Sequence, residues 1–115
     1  MMLRQRDIVL IPVPFTDLSS KKKRPVIVLS NSRHNETHDD FLGVAVTSNV
    51  QKRDYGLLVS QNDLEEGHLQ VPSMILVNKI YALNQGIIVR KFGRVNKEIF
   101  SQLIGMIETL IHASE

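Results

Sequence analysis

Short β-branched runs separated by polar turns, then one long segment of helical period, predict an α+β domain. The expected architecture is a small, strongly curved, mostly antiparallel sheet, a partial barrel, with a C-terminal amphipathic helix. Three observations support it. Val26-Ile27-Val28-Leu29 is too short and too β-branched to prefer a helix. Proline, glycine and asparagine punctuate the chain between such runs, at Pro12, Pro14, Gly56, Pro72 and Asn84-Gln85-Gly86. From Ile99 onward the apolar residues recur at three- and four-residue spacing. A chain of 115 residues is long enough for a single domain over 1–115 with its own core.

Residues 7–13 form the first expected strand, carried by Ile8, Val9, Leu10 and Ile11. Pro12 and Pro14 cannot donate to a ladder, so this strand is expected to reach an edge or leave the sheet there. Residues 26–29 are the second strand. Residues 30–40 are polar and aperiodic, and are expected to form an exposed loop. Residues 41–47 are the third strand, with Val44 and Val46 on one face, and residues 56–59 the fourth. Residues 62–67 read as an acid-rich turn or short helical turn. Residues 73–81 and 87–94 are the fifth and sixth strands, on either side of the turn at Asn84-Gln85-Gly86. In the last segment Ile99, Phe100, Leu103, Ile104, Ile107, Leu110 and Ile111 share a helical face expected to pack on the sheet. Asn96 is its expected N-cap, Glu98 lies in its first turn, and Val95 and Phe100 have the separation of a hydrophobic staple.

Composition removes several classes of function. The chain has no cysteine. Disulfides, thiolate catalysis and cysteine-ligated zinc are therefore excluded, which fits a reducing compartment. The first residues lack the apolar core of a secretory leader, and no apolar run is long enough to span a bilayer as a helix. A cytoplasmic protein without a membrane partner is expected. Net charge is only +2, yet Lys21, Lys22, Lys23 and Arg24 hold four of the 14 cations in consecutive positions. His34 and His38 stand four apart near Glu36, Asp39 and Asp40, a spacing that would gather ligands only on a helix. The polar surroundings favour a loop, so no metal ligand is assigned. Without a glycine-rich phosphate loop, a nucleophile elbow or a glutamate–histidine helix pair, no cofactor is expected.

Cleavage of RNA needs little protein machinery, because the substrate's own 2′-hydroxyl can attack the adjacent phosphate. The protein must position the chain and stabilise charge on the phosphoryl oxygens. Arg24 stands where the basic loop meets the second strand, and Thr47-Ser48-Asn49 ends the third. If those strands are neighbours, the guanidinium and the hydroxyls share one end of the sheet. On the residues alone, Arg24 is equally a flanking cation and Thr47 equally a good strand residue.

Asp7-Ile8-Val9-Leu10, Pro14-Phe15-Thr16-Asp17 and Lys23-Arg24-Pro25-Val26-Ile27-Val28-Leu29-Ser30, followed by Val44-Ala45-Val46-Thr47-Ser48 and Pro72-Ser73, resemble the MazF/PemK family of toxin endoribonucleases. The resemblance runs in order over nearly the whole chain. It implies a curved antiparallel sheet of the MazF/PemK/CcdB kind, assembled as a homodimer. It also implies the toxin of a type II toxin–antitoxin system: a ribosome-independent, metal-independent, sequence-selective endoribonuclease of single-stranded RNA. A cognate antitoxin would hold it inactive, and operator DNA would be met only through that complex. The family's catalytic arginine falls on Arg24 and its threonine on Thr47, with Ser48 at the adjacent position. Residues 15–23 match the family's mobile loop beside the RNA groove. The expected RNA contacts are Phe15, Thr16, Lys21, Lys22, Lys23, Asn49, Lys52 and Arg53. The family usually has glycine before the first-strand aspartate, where this chain has Arg6. A non-catalytic binding module on the same fold is the rival reading.

Overall fold

The middle of the molecule is a strand covered on both faces. The computed structural model describes residues 2–13 and 22–113. It contains seven strands: β1 (Asp7–Pro12), β2 (Lys23–Val28), β3 (Asp40–Thr47), β4 (Gly56–Val59), β5 (Leu64–Gly67), β6 (Ser73–Asn84) and β7 (Arg90–Val95). They form one sheet in the order β4-β6-β3-β2-β1-β7-β5, with every pairing antiparallel. Side chains alternate across β1 and β2. Ile8 and Ile27 enter one apolar cluster with Val44, Ile75 and Val77, while Val9, Ile11, Val26 and Val28 enter another with Phe41 and Leu83. Burial on both faces is why these strands read as continuous apolar runs rather than as alternating ones.

The sheet curls. Val59 of β4 and Leu64 of β5 lie at opposite ends of the strand order, yet both pack in the same cluster. Register shifts within the β1–β7, β3–β6 and β5–β7 pairs supply local bends. Helix α2 (Lys97–Ile111) covers this cluster with Ile99 and Leu103, both buried. Asn96 caps it by accepting from the Ile99 N–H at 2.9 Å, as the sequence predicts, and Val95 and Phe100 belong to the same cluster. The expected apolar face is only partly used: Ile111 is 74% exposed.

Four local expectations are corrected. Residues 30–40 are not a plain loop, because Ser32–Thr37 forms a short helix, α1. Asn31 caps it, and buried Asn35 donates to the Leu3 and Ser30 carbonyls at 3.3 and 3.0 Å. A helix of six residues held by amide contacts carries no apolar period. Residues 62–67 divide into a 3₁₀ turn, Gln61–Asp63, and a seventh strand, β5. Strand β5 lies so close to β7 that a Cβ on Gly67, at φ 90°, would strike the Phe92 carbonyl. The sixth expected strand starts at Arg90, behind a 3₁₀ turn, Gln85–Ile87, and the strand before it runs on to Asn84. The second starts at Lys23, so Arg24 and Pro25 are strand residues.

A charged network joins β1, β5 and β7. Asp7 is 0% exposed, and its Oδ1 meets Arg94 Nε and Nη2, each at 3.0 Å, and Lys91 Nζ at 3.1 Å. Its Oδ2 accepts from the Arg4 N–H at 2.8 Å. Burial works against the charge of Arg94, but Asp7, with Glu66 and Glu65, more than reverses this and raises the guanidinium above its ordinary value. The hydrogen bond from Arg6, joined by the Arg6 charge and by smaller contributions from Arg94, outweighs desolvation and holds the Glu65 carboxyl below the ordinary 4.5.

Arg6 stands where the resemblance leads us to expect glycine. Its φ is 78°, in the left-handed region. Backbone bonds fix it there, from its N–H to the Val28 carbonyl at 2.9 Å and from the Val95 N–H to its own carbonyl at 3.0 Å. Its side chain donates to the Val95 carbonyl at 2.8 Å and to Glu65 Oε1 at 3.1 Å, which offsets the strain.

Asp7→Ala removes the buried partner of Arg94 and leaves it only the more exposed Glu65 and Glu66, and is expected to lower unfolding free energy by about 3 kcal/mol in urea titrations. Arg6→Ala keeps the strain without the side-chain bonds. It is expected to be less stable than Arg6→Gly by about 1 kcal/mol in the same assay.

Candidate active site

The register of the two central strands sets the geometry of the site. Val26 pairs with Ala45, Ile27 with Val44 and Val28 with Gly43. Two residues further along each strand, at the same end of the pair, stand Arg24 and Thr47. On the other side β1 pairs Ile11 with Arg24 and Pro12 with Lys23. Arg24 and Thr47, both half-buried, line one cleft of about 260 Å³. Ile11, Val13, Leu76 and Tyr81 supply much of its wall. Arg24 is the only charged residue lining the cleft among the described residues, so an anion is the ligand whose charge the cleft complements.

Thr47 is fixed by the turn that follows it. Its Oγ1 accepts from the Asn49 N–H at 3.1 Å, which leaves the hydroxyl proton to donate into the cleft. The Asn49 carbonyl in turn accepts from Arg53 Nη2 at 3.4 Å. A guanidinium and an oriented hydroxyl at one cleft can hold two oxygens of a phosphoryl group.

The other sequence candidates divide. Ser48 is exposed and does not line the cleft with its neighbour. Lys22 and Lys23 are exposed at the start of β2, beside the cleft strand of Arg24, and Lys52 is exposed beyond β3. Phe15, Thr16 and Lys21 lie outside the described residues. His34 and His38 are on α1 and at its end, with rings stacked 4.2 Å apart and His34 Nε2 2.8 Å from Asp40 Oδ1. Asp40 begins β3 and Thr47 ends it, so the histidines stand ~23 Å from the cleft. Sequence reasoning missed Leu76 and Tyr81. Both come from β6, and only the pairing of β6 with β3 brings them near; no local pattern marks them.

The chain matches the family model of PemK-like, MazF-like toxins of type II toxin–antitoxin systems over residues 4–111. It belongs to that family. No curated protein matches it in sequence. Among solved structures it resembles the MazE–MazF complex of Deinococcus radiodurans (Form-III), with a TM-score of 0.79 and 16% identity over 99% of this chain and 100% of that one. It resembles the Mycobacterium tuberculosis toxin MazF-mt6 at 0.75 and 16%, over 96% and 100%. It also resembles an endoribonuclease in complex with its cognate antitoxin from a mycobacterial species, at 0.74 and 13%, over 99% and 97%. At such identities the likeness is one of fold, and it agrees with the curved antiparallel sheet and terminal helix expected from the sequence.

Because Arg24 and Thr47 project from the edge of the apolar frame, removing either side chain should leave the frame intact. Arg24→Ala and Thr47→Ala are each expected to change unfolding free energy by about 1 kcal/mol or less. A loss of several kcal/mol in urea titrations would assign them to the frame instead.

Proposed function

We propose that the chain is a toxin that cleaves single-stranded RNA, with Arg24 and Thr47 stabilising the scissile phosphate and the exposed Ser48, next to Thr47, assisting. The reading rests on one observation: the β2–β3 register delivers both residues to one cleft. The 2′-oxygen attacks phosphorus and the bond to the 5′-oxygen breaks. One proton leaves the 2′-hydroxyl and one reaches the departing oxygen. The products are a 2′,3′-cyclic phosphate and a free 5′-hydroxyl. A guanidinium holds its proton at neutral pH, so Arg24 acts by charge and hydrogen bonds rather than as the base. The Thr47 hydroxyl donates to a second phosphoryl oxygen. Neither role requires a metal ion. Lys22, Lys23, Lys52 and Arg53, with Lys21, contribute phosphate contacts along the strand, Asn49 holds the Thr47 turn beside it, and Phe15 and Thr16 are further proposed RNA contacts.

The family and the neighbours support a reading of the partners. One neighbour is a MazE–MazF complex and another an endoribonuclease held by its cognate antitoxin. This chain is accordingly proposed to act in the cytoplasm as a homodimer, to be restrained by an antitoxin of its own, and to meet operator DNA only through that complex.

Purified protein incubated with a mixed-sequence RNA in the presence of a chelator tests the reading. Cleavage at a subset of sequences leaving 5′-hydroxyl ends is expected, slowed on the order of 10²–10³-fold by Arg24→Ala. RNA left intact across salt and temperature by antitoxin-free protein would overturn the nuclease and favour a binding module.

A further inference from the structure

Leu76 lines the Arg24–Thr47 cleft on one side and a second hollow, of about 320 Å³, on the other. Arg53, Asp54, Tyr55, Asn78 and Lys79 complete that hollow. We propose that it is a base-selecting subsite that takes one unpaired nucleobase bearing an exocyclic amino group, from the nucleotide beside the scissile phosphate. The inference rests on the nuclease reading given above.

The hollow is built by an irregularity in the sheet. Strand β3 pairs Val46 with Ile75 and Val44 with Ile80, so the four β6 residues from Leu76 to Lys79 stand opposite Ala45 alone. Such a surplus leaves the regular ladder and re-aims its side chains. On the far side, β4 pairs Gly56 with Leu76, and the Val77 N–H donates to the Tyr55 carbonyl at 2.9 Å. The segment before β4 therefore runs on beside the bulge and brings Tyr55 and Asp54 against Asn78.

The chemistry of the lining suits a base rather than a phosphate. Tyr55 is 42% exposed and offers a ring face on which a base can stack. The exposed Asn78 amide presents a donor and an acceptor side by side, the pattern that reads a base edge. Asp54 accepts only; it repels a phosphate at the centre of the hollow and favours an amino group, which adenine, cytosine and guanine carry and uracil lacks. Arg53 Nε is buried without a hydrogen-bond partner among the described residues, and its Nη2 bond to Asn49 is long at 3.4 Å. Arg53 and exposed Lys79 are placed at the rim to take the phosphates on either side of that base. Continuity through Leu76 sets the bound base next to the reacting phosphate.

Mapping every cleavage site of the wild type and of variants on one mixed-sequence RNA tests this. The wild type is expected to disfavour uracil at one position flanking the cut. Asp54→Asn turns an acceptor into a donor for the uracil carbonyl and should admit uracil there. Asn78→Ala should narrow the discrimination at the same position by roughly five- to a hundred-fold. Tyr55→Ala should slow cleavage and Tyr55→Phe should preserve it, while Lys79→Ala should slow all sites alike and flatten the salt dependence. Asp54→Asn and Asn78→Ala proteins that cut the wild-type sites at wild-type relative rates would overturn the subsite and leave the nuclease standing. Wild-type protein that cuts no RNA would overturn both.

Discussion

The position of β2 is the constraint on which the other features depend. It is the central strand of seven, and Val26, Ile27 and Val28 are 2%, 1% and 0% exposed. Side chains alternate with period two, so a one-residue slip would exchange the sets of residues facing the two clusters. It would also turn Arg24 to the opposite face of the sheet. Burial on both faces therefore fixes the register, and the register places Arg24 level with the end of β3. The cleft is a consequence of core packing several residues away.

Charge is divided between two regions with different roles. Asp7 and Arg94 are both buried and bonded to one another, with Glu65, Glu66, Lys91 and Arg6 around them. That network pairs its charges internally, although Arg94 Nη2 makes no hydrogen bond among the described residues, and it holds β1, β5 and β7 together. Arg24, by contrast, lines a cleft in which no carboxylate neutralises it among the described residues. A paired buried cation belongs to the frame; a half-exposed cation beside an oriented hydroxyl suits an anionic ligand. The left-handed Arg6 sits on the first side of this division. Bonds to Val28, Val95 and Glu65 allow an arginine to occupy a turn that glycine would enter without strain.

Much of the fold was legible because apolar runs and helical period are local properties. Residues 26–29, 41–47 and 56–59, and the helix capped by Asn96, stand close to where pattern placed them. Residues 32–37 and 64–67 were not, for physical reasons. Asn35 holds α1 through amide bonds to distant carbonyls, and Glu65 and Glu66 in β5 serve ion pairs rather than a core, so neither segment carries an apolar signal. In the site, Arg24 and Thr47 could be read because each ends an apolar run, and their conjunction required only that β2 and β3 be neighbours. Leu76, Asn78 and Tyr81 could not be. Leu76 and Asn78 lie in a bulge of β6 and Tyr81 just beyond it, a placement visible only once β3 has been paired with β6.

The most direct measurement is the cleavage rate of one defined RNA by wild type, Arg24→Ala, Thr47→Ala and the double variant. If both side chains hold the same phosphoryl group, their effects are strongly non-additive: the double variant falls within about tenfold of the slower single one. Rates in the double variant equal to the product of the two single losses would mean that Arg24 and Thr47 act independently, and would contradict a shared site.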